Sequence, residues 1–240
     1  MELQRGIVCK TLDYKDSSKI LYIYTKDGNK SVIARGVKKL NSKSRFLSQV
    51  GTLIQYDITK GELPSMKEGE LVDDYPHIKE DLETYTFVAH ILELLNGIIG
   101  EDNDHVKMFD FVQRLLKMFD QGIDAEVLTF IFEMKLLYFL GYGLNFRGCQ
   151  VCDDPIDVVY SISDGGLICR RHLKDYSEAF DEDIYTVLRQ LYYMDINNYV
   201  ELDLSKNLRI MIRHIIDVTY VEFVTFKTKS RGILKQIKKY

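Results

Sequence analysis

The chain opens on short apolar runs and changes near position 80 to a longer, helical period. Ile7-Val8-Cys9, residues 20–24 and residues 31–34 are β-branched and aromatic stretches of strand length. Between the last two lies Thr25-Lys26-Asp27-Gly28-Asn29-Lys30, whose Asp-Gly step signals a hairpin. A fourth run covers residues 52–59, and a fifth lies near Glu70-Leu71-Val72. Five short strands across residues 3–72 predict a small closed barrel of the OB type, although period alone does not separate it from an SH3-like barrel.

From Asp81 the apolar positions Tyr85, Val88, Leu92 and Leu95 share one helical face, which ends near Gly97 and Gly100. Residues 106–119 form a second helix, stopped by Asp120-Gln121-Gly122. Asp124 caps a third over 125–140, apolar almost all round and therefore buried, with Gly141 as its stop. Residues 183–194 and 208–226 supply two more, the latter with Ser205 as its cap, and the basic stretch after it extends or frays from that helix. The expected architecture is α+β and multidomain. An OB-type β-barrel occupies residues 1–78, and an α-helical bundle residues 79–240. A zinc-ribbon-like hairpin is inserted at 146–175, and a basic tail covers 227–240.

The hairpin carries the most specific pattern in the chain. Cys149, Cys152, Cys169 and His172 read C-x2-C-x16-C-x2-H. Two tight Cys/His turns facing each other across a hairpin supply the four soft ligands of a tetrahedral Zn²⁺. Four protein ligands leave no open position, so one structural Zn²⁺ is expected. Between the pairs, residues 158–162 read as a strand, Asp164-Gly165-Gly166 as the turn and Leu167-Ile168 as the returning strand. Unrelated buried thiols or disulfides are the competing reading. The fourth cysteine, Cys9, sits in an apolar strand as a small core residue.

Composition and charge narrow the function. The chain has 240 residues, 46% of them hydrophobic, enough for packed cores. The amino terminus does not read as a signal peptide, and the most apolar run, 127–140, is broken by Glu133 and Lys135 and too short to span a bilayer. No membrane association is expected. Free thiols at metal spacing point to a reducing, cytoplasmic setting. Net charge is −4, yet residues 1–45 carry 11 basic against 4 acidic residues, and residues 227–240 carry 6 against none. The connection after the third strand holds Arg35, Lys38, Lys39, Lys43 and Arg45 without an acid, and the tail adds Lys229 and Arg231. These are the candidate phosphate contacts. Tyr22, Tyr24, Phe46 and Tyr56 are candidates to stack on bases or to fill the barrel core. Catalytic patterns are scarce. Gly141-Tyr142-Gly143 stops a helix instead of opening one. Asp102, Asp104 and residues 181–183 read as helix-start acids, and His77, His90, His105 and His214 lack a partner at motif spacing. An enzyme is not expected. A zinc-ribbon transcription or translation factor is the alternative nucleic-acid reading.

The order of barrel, basic connection, helical body, zinc hairpin and basic tail resembles the RecO family of bacterial recombination mediators. The carriers are Arg5-Gly6-Ile7-Val8, Ala34-Arg35-Gly36-Val37-Lys38-Lys39, and Phe132-Glu133-Met134-Lys135-Leu136-Leu137-Tyr138-Phe139-Leu140-Gly141-Tyr142. Cys149-Gln150-Val151-Cys152, Gly165-Gly166-Leu167-Ile168-Cys169 and Lys229-Ser230-Arg231-Gly232-Ile233-Leu234 follow. His172 departs from the fourth Cys of many relatives. The resemblance implies a nucleoid-associated DNA repair and recombination protein that binds single- and double-stranded DNA and anneals complementary strands. It also implies loading of recombinase together with RecR, and capture of the acidic carboxy-terminal tail of single-strand-binding protein (SSB). Arg209 and Arg213, on successive turns of the last long helix, are candidates for a carboxylate of that tail or for surface ion pairs.

Overall fold

The structure is a computed structural model. It describes residues 3–39, 42, 44–100, 104–224, 226 and 228–238, with side chains as far as residue 236 in the last segment. The chain divides into two compact units, one of Met1–Ala125 with Thr228–Lys239 and one of Glu126–Lys227.

In the first unit, β1 (Gln4–Tyr14), β2 (Ser18–Thr25), β3 (Gly28–Ala34), β4 (Leu53–Ile58) and β5 (Met66–Asp73) form one sheet in the order β3-β2-β1-β4-β5, with every neighbouring pair antiparallel. The sheet curls without closing along a full ladder. Its ends meet at a single parallel bridge between Ile33 and Ser65, where the Ile33 N–H donates to the Pro64 carbonyl at 2.8 Å. This is the partly open five-stranded barrel of the OB fold, not the fully closed one the strand count suggests. Alternation explains its core. Leu21 and Ile23 of β2, Val32 and Ala34 of β3, and Ile54 and Tyr56 of β4 all point inward. The β1–β2 register slips between Val8 and Lys10, a bulge at Cys9. Burial pushes the Cys9 thiol up to about 12, as befits an inert core residue.

Three helices follow: α1 (Pro76–Glu80), α2 (Leu82–Ile98) and α3 (His105–Asp120). The Asp81 carboxylate accepts from the Thr84 N–H and the Asp104 carboxylate from the Lys107 N–H, so each caps the helix behind it. Asp120, at the far end of α3, accepts from the His77 and Ile78 N–H groups of α1 at 2.8 and 3.2 Å. α1 itself was not legible as a separate element.

The second unit contains α4 (Ala125–Phe139), β6 (Val158–Ser161), β7 (Gly166–Cys169), β8 (Ala179–Phe180), α5 (Glu182–Tyr193) and α6 (Lys206–Phe223). α4 is buried nearly all round, as its composition predicts. It ends where Gly141 takes φ +86°. There the Gly141 N–H bonds Tyr138 and the Tyr142 N–H bonds Leu137, the paired bonds of a Schellman stop. The two buried acids of α4 are answered from α6. Arg209 pairs with Glu126 at 3.1 Å, and Arg213 pairs with Glu133 at 2.6 Å while also holding Asp217 at 2.9 Å. Ser205 caps α6 through the Leu208 N–H, as expected.

The basic tail does not extend α6. It forms a helix of its own, α7 (Lys229–Lys238), which belongs to the first unit and packs on α2.

Candidate metal centre and nucleic-acid interface

Each ligand pair sits on a turn whose backbone is closed by its own hydrogen bonds. In the first, the Cys149 N–H donates to Asp154 O and the Asp153 N–H to Cys149 O, which folds the chain back over Gly148. A Cβ on Gly148 would lie 2.6 Å from the Asp153 carbonyl oxygen, so only glycine fits there. In the second, the His172 and Leu173 N–H groups both donate to Cys169 O, at 2.8 and 3.0 Å. The Gln150 N–H donates to Leu167 O and ties the first turn to β7. Val159, Ile168 and the two buried cysteines pack beneath as a small apolar cluster. β6 and β7 pair as the sequence predicts, with the turn at Ile162–Gly165 and Gly166 already in the strand. The third strand of this sheet, β8, was not anticipated. At two residues it is too short to carry a pattern.

The turns bring all four ligand atoms within 4.8 Å of one another. Cys152 Sγ lies 3.9 Å from Cys169 Sγ, and His172 Nδ1 lies 3.2 Å from Cys169 Sγ and 3.6 Å from Cys149 Sγ. Metal–sulfur bonds of about 2.3 Å give a tetrahedron with edges of about 3.8 Å, so these separations suit a four-coordinate ion. The charges suit it as well. Burial raises the Cys149 thiol, but backbone hydrogen bonds from Cys169, Val151 and Cys152, together with His172, bring it down to about 6. At Cys152 a backbone hydrogen bond from Asp154 lowers the pKa, yet burial and the Cys149 and Cys169 sulfurs outweigh it and raise it. One thiolate is favoured and its neighbour resisted for want of positive charge, which a metal ion supplies. Cys149, Cys152, Cys169 and His172 are thus placed to bind a metal ion.

The cationic residues fall in two places. Arg35, Lys38, Lys39 and Arg45 are exposed on the connection after β3, while Lys43 lies outside the described residues. Lys38 is anchored twice, by its N–H to Ser17 O at 3.0 Å and by its ammonium to Asp13 at 2.6 Å. On α7, Lys229 is exposed and Arg231 half-buried. Of the four aromatics, Tyr24 and Tyr56 are core residues, Tyr22 is half-buried under the Lys10 ammonium and Phe46 is exposed. Arg209 and Arg213 are committed to Glu126 and Glu133 and do not present free cations to a partner.

Comparison with known proteins now bears on the whole chain. The model for the amino-terminal part of recombination protein O matches residues 1–75, and that for its carboxy-terminal part matches residues 79–232. The chain belongs to the RecO family. It is 30% identical to the DNA repair protein RecO of Bacillus cytotoxicus over 98% of this chain and 97% of that protein. For the proteins of the same name from Bacillus mycoides and Bacillus cereus strain AH187, identity is 28% and 29% over the same shares. RecO membership supports a role in DNA repair and recombination.

Among the described residues, the remaining polar candidates make structural contacts. Asp104 is a helix cap, and Asp181 accepts from the Arg170 guanidinium at 2.8 Å. His77 meets Asp120, His214 meets Glu178, His105 meets the Tyr24 hydroxyl, and buried His90 meets Ser230 and Thr228. Asp102 lies outside the described residues. No helix among the described residues is long and apolar enough to cross a membrane.

Proposed function

We propose that this RecO-family protein is a recombination mediator without bond-breaking chemistry of its own. It binds single- and double-stranded DNA, anneals complementary strands and, with RecR, helps load recombinase onto SSB-coated DNA. The observation that carries this reading is the family match across both halves of the chain. The charge distribution supports it. A chain of net charge −4 still exposes Arg35, Lys38, Lys39 and Arg45 together on one connection of an OB-type barrel. Neutralising phosphates there lowers the repulsion between two polyanions, the physical requirement of annealing. Lys43 belongs to the same connection, and Lys229 and Arg231 of α7 supply a second contact. The metal is a single Zn²⁺ held by Cys149, Cys152, Cys169 and His172, and its role is structural. With four protein ligands it cross-links two turns and stabilises the hairpin. The helical part takes the acidic SSB tail at cations other than the paired Arg209 and Arg213. Such work belongs in a reducing cytoplasm, at the nucleoid.

The test is annealing of complementary labelled oligonucleotides, bare and SSB-coated, followed by fluorescence. The protein should accelerate annealing in both arms and load recombinase onto SSB-coated strands only with RecR present. Absence of acceleration in both arms would overturn the reading.

A further inference from the structure

Two concavities of the first unit draw together side chains that are far apart in sequence. One, of about 430 Å³, is lined by Lys19 of β2 and by Lys38 and Arg45 of the basic connection, with Ser48 and Gln49 on its floor. The other, of about 330 Å³, shares Lys19, Ser48 and Gln49 and continues to Lys79 of α1 and Tyr85 of α2. Because three lining residues are common, the two form one depression, leading from the connection after β3 to the corner between α1 and α2.

Its chemistry is that of a polyanion track. Four cations line it against one carboxylate, Asp13, which pairs with Lys38 and leaves Lys19, Arg45 and Lys79 in excess. Lys79 is the informative member. Burial lowers its pKa, against the opposing pull of Asp74, Asp120 and Asp73, and its ammonium donates to the neutral Gln49 amide oxygen at 3.0 Å. The ammonium has given up water without gaining a contact ion pair, so an anionic oxygen arriving in the depression finds a cation already partly desolvated and held in place. Tyr85, at the far end, exposes its ring beside these cations. A flat aromatic face next to a line of cations is the combination that holds a single strand, with phosphates on the cations and a base on the ring. Stacking on the Tyr85 ring requires an unpaired base, which a duplex does not offer.

We infer that this depression is a single-strand nucleic-acid path, seating phosphates along Arg45, Lys38, Lys19 and Lys79 and stacking a base on Tyr85. The inference rests on the DNA-binding reading above and carries that surface off the barrel onto α1 and α2. Duplex DNA, under this assignment, uses the exposed connection without reaching Tyr85.

The experiment is a salt titration of the full chain against fluorescein-labelled oligo(dT) and a hairpin duplex, followed by anisotropy. It compares wild type, Lys79→Gln, Tyr85→Ala and Tyr85→Phe, with thermal melts to confirm equal folding. Tyr85→Ala should weaken oligo(dT) binding about tenfold with its salt slope unchanged, because stacking releases no counterions. Tyr85→Phe keeps the ring and should bind like wild type. Lys79→Gln should flatten the single-strand slope by about 0.7, one phosphate contact. Neither position should affect the duplex. Wild-type affinity for oligo(dT) in both Tyr85→Ala and Lys79→Gln would overturn the path while leaving the DNA-binding reading standing, as would equal losses on single strand and duplex. If wild type binds neither probe, the DNA-binding reading falls and the path with it.

Discussion

One carboxylate caps α7 where it docks on α2, and removing it has a calculable effect. Glu93 accepts from the Lys229 N–H at 2.9 Å, from the Ser230 N–H at 3.0 Å and from the Ser230 hydroxyl at 2.6 Å. Two of these donors are N–H groups of the first turn of α7, which have no partner within their own helix, so Glu93 acts as a cap supplied from another element. Glu93→Ala removes a cap worth about 1 kcal/mol and an anion at a helix amino terminus worth about 0.3–1 kcal/mol. The Ser230 hydroxyl keeps His90 Nδ1 at 3.0 Å, which limits the loss. A total of about 2 kcal/mol corresponds to roughly a 30-fold rise in the opening of α7. Acid should imitate the mutation. Burial raises the Glu93 pKa, but the hydrogen bonds from Ser230 and Lys229 and the charge of His90 bring it below the ordinary carboxylate value. Its contribution is therefore complete above that ordinary value and disappears as pH falls through the lower folded value. Hydrogen exchange read by mass spectrometry on the α7 peptide, at neutral pH and at pH about 3, measures both effects. Unchanged α7 protection in Glu93→Ala would refute the capping argument.

Three further outcomes follow from other parts of the molecule. Freshly purified protein should carry about one Zn²⁺ per chain, and Cys149→Ser should lose it and lower the melting temperature, read by elemental analysis and circular dichroism. Arg213→Ala should destabilise by about 3–5 kcal/mol because it strands the fully buried Glu133 carboxylate. The double variant Arg213→Met with Glu133→Leu should recover most of that loss in urea melts, and an undiminished loss would refute the assignment. Lys39→Glu should weaken two unrelated duplexes about equally and flatten the slope of log affinity against log salt by about 0.9, while zinc content stays unchanged.

What could be read from the sequence was whatever is encoded locally. The strand runs, the Ser205 cap, Asp104 as a helix-start acid, the Gly141 stop and the C-x2-C…C-x2-H spacing each occupy a few consecutive residues, and each appears where its pattern puts it. What escaped is made by distant residues. Glu133 read as an interruption of an apolar run and Glu126 carried no signal, because their partners Arg213 and Arg209 lie 80 and 83 positions away. Taken alone, those arginines looked like candidates for a ligand. The tail looked like an extension of α6, because Glu93 and His90, which hold the first turn of α7, belong to α2. Lys19 and Lys79 carried no signal, since only folding brings them to one depression.

The return of α7 to α2 has a consequence for synthesis of the chain. Residues 126–227 intervene between the two parts of the first unit, so that unit is discontinuous in time as well as in sequence. At roughly 5–20 residues per second, its last helix arrives on the order of 5–20 s after α3 has emerged from the ribosome. Throughout that interval the Glu93–His90 face of α2 has no native cover. A nonsense mutation anywhere beyond the metal hairpin therefore damages the barrel unit too, although every residue of the barrel has been made. In the cell such truncations should behave as folding defects of the whole protein, not as proteins lacking only a tail.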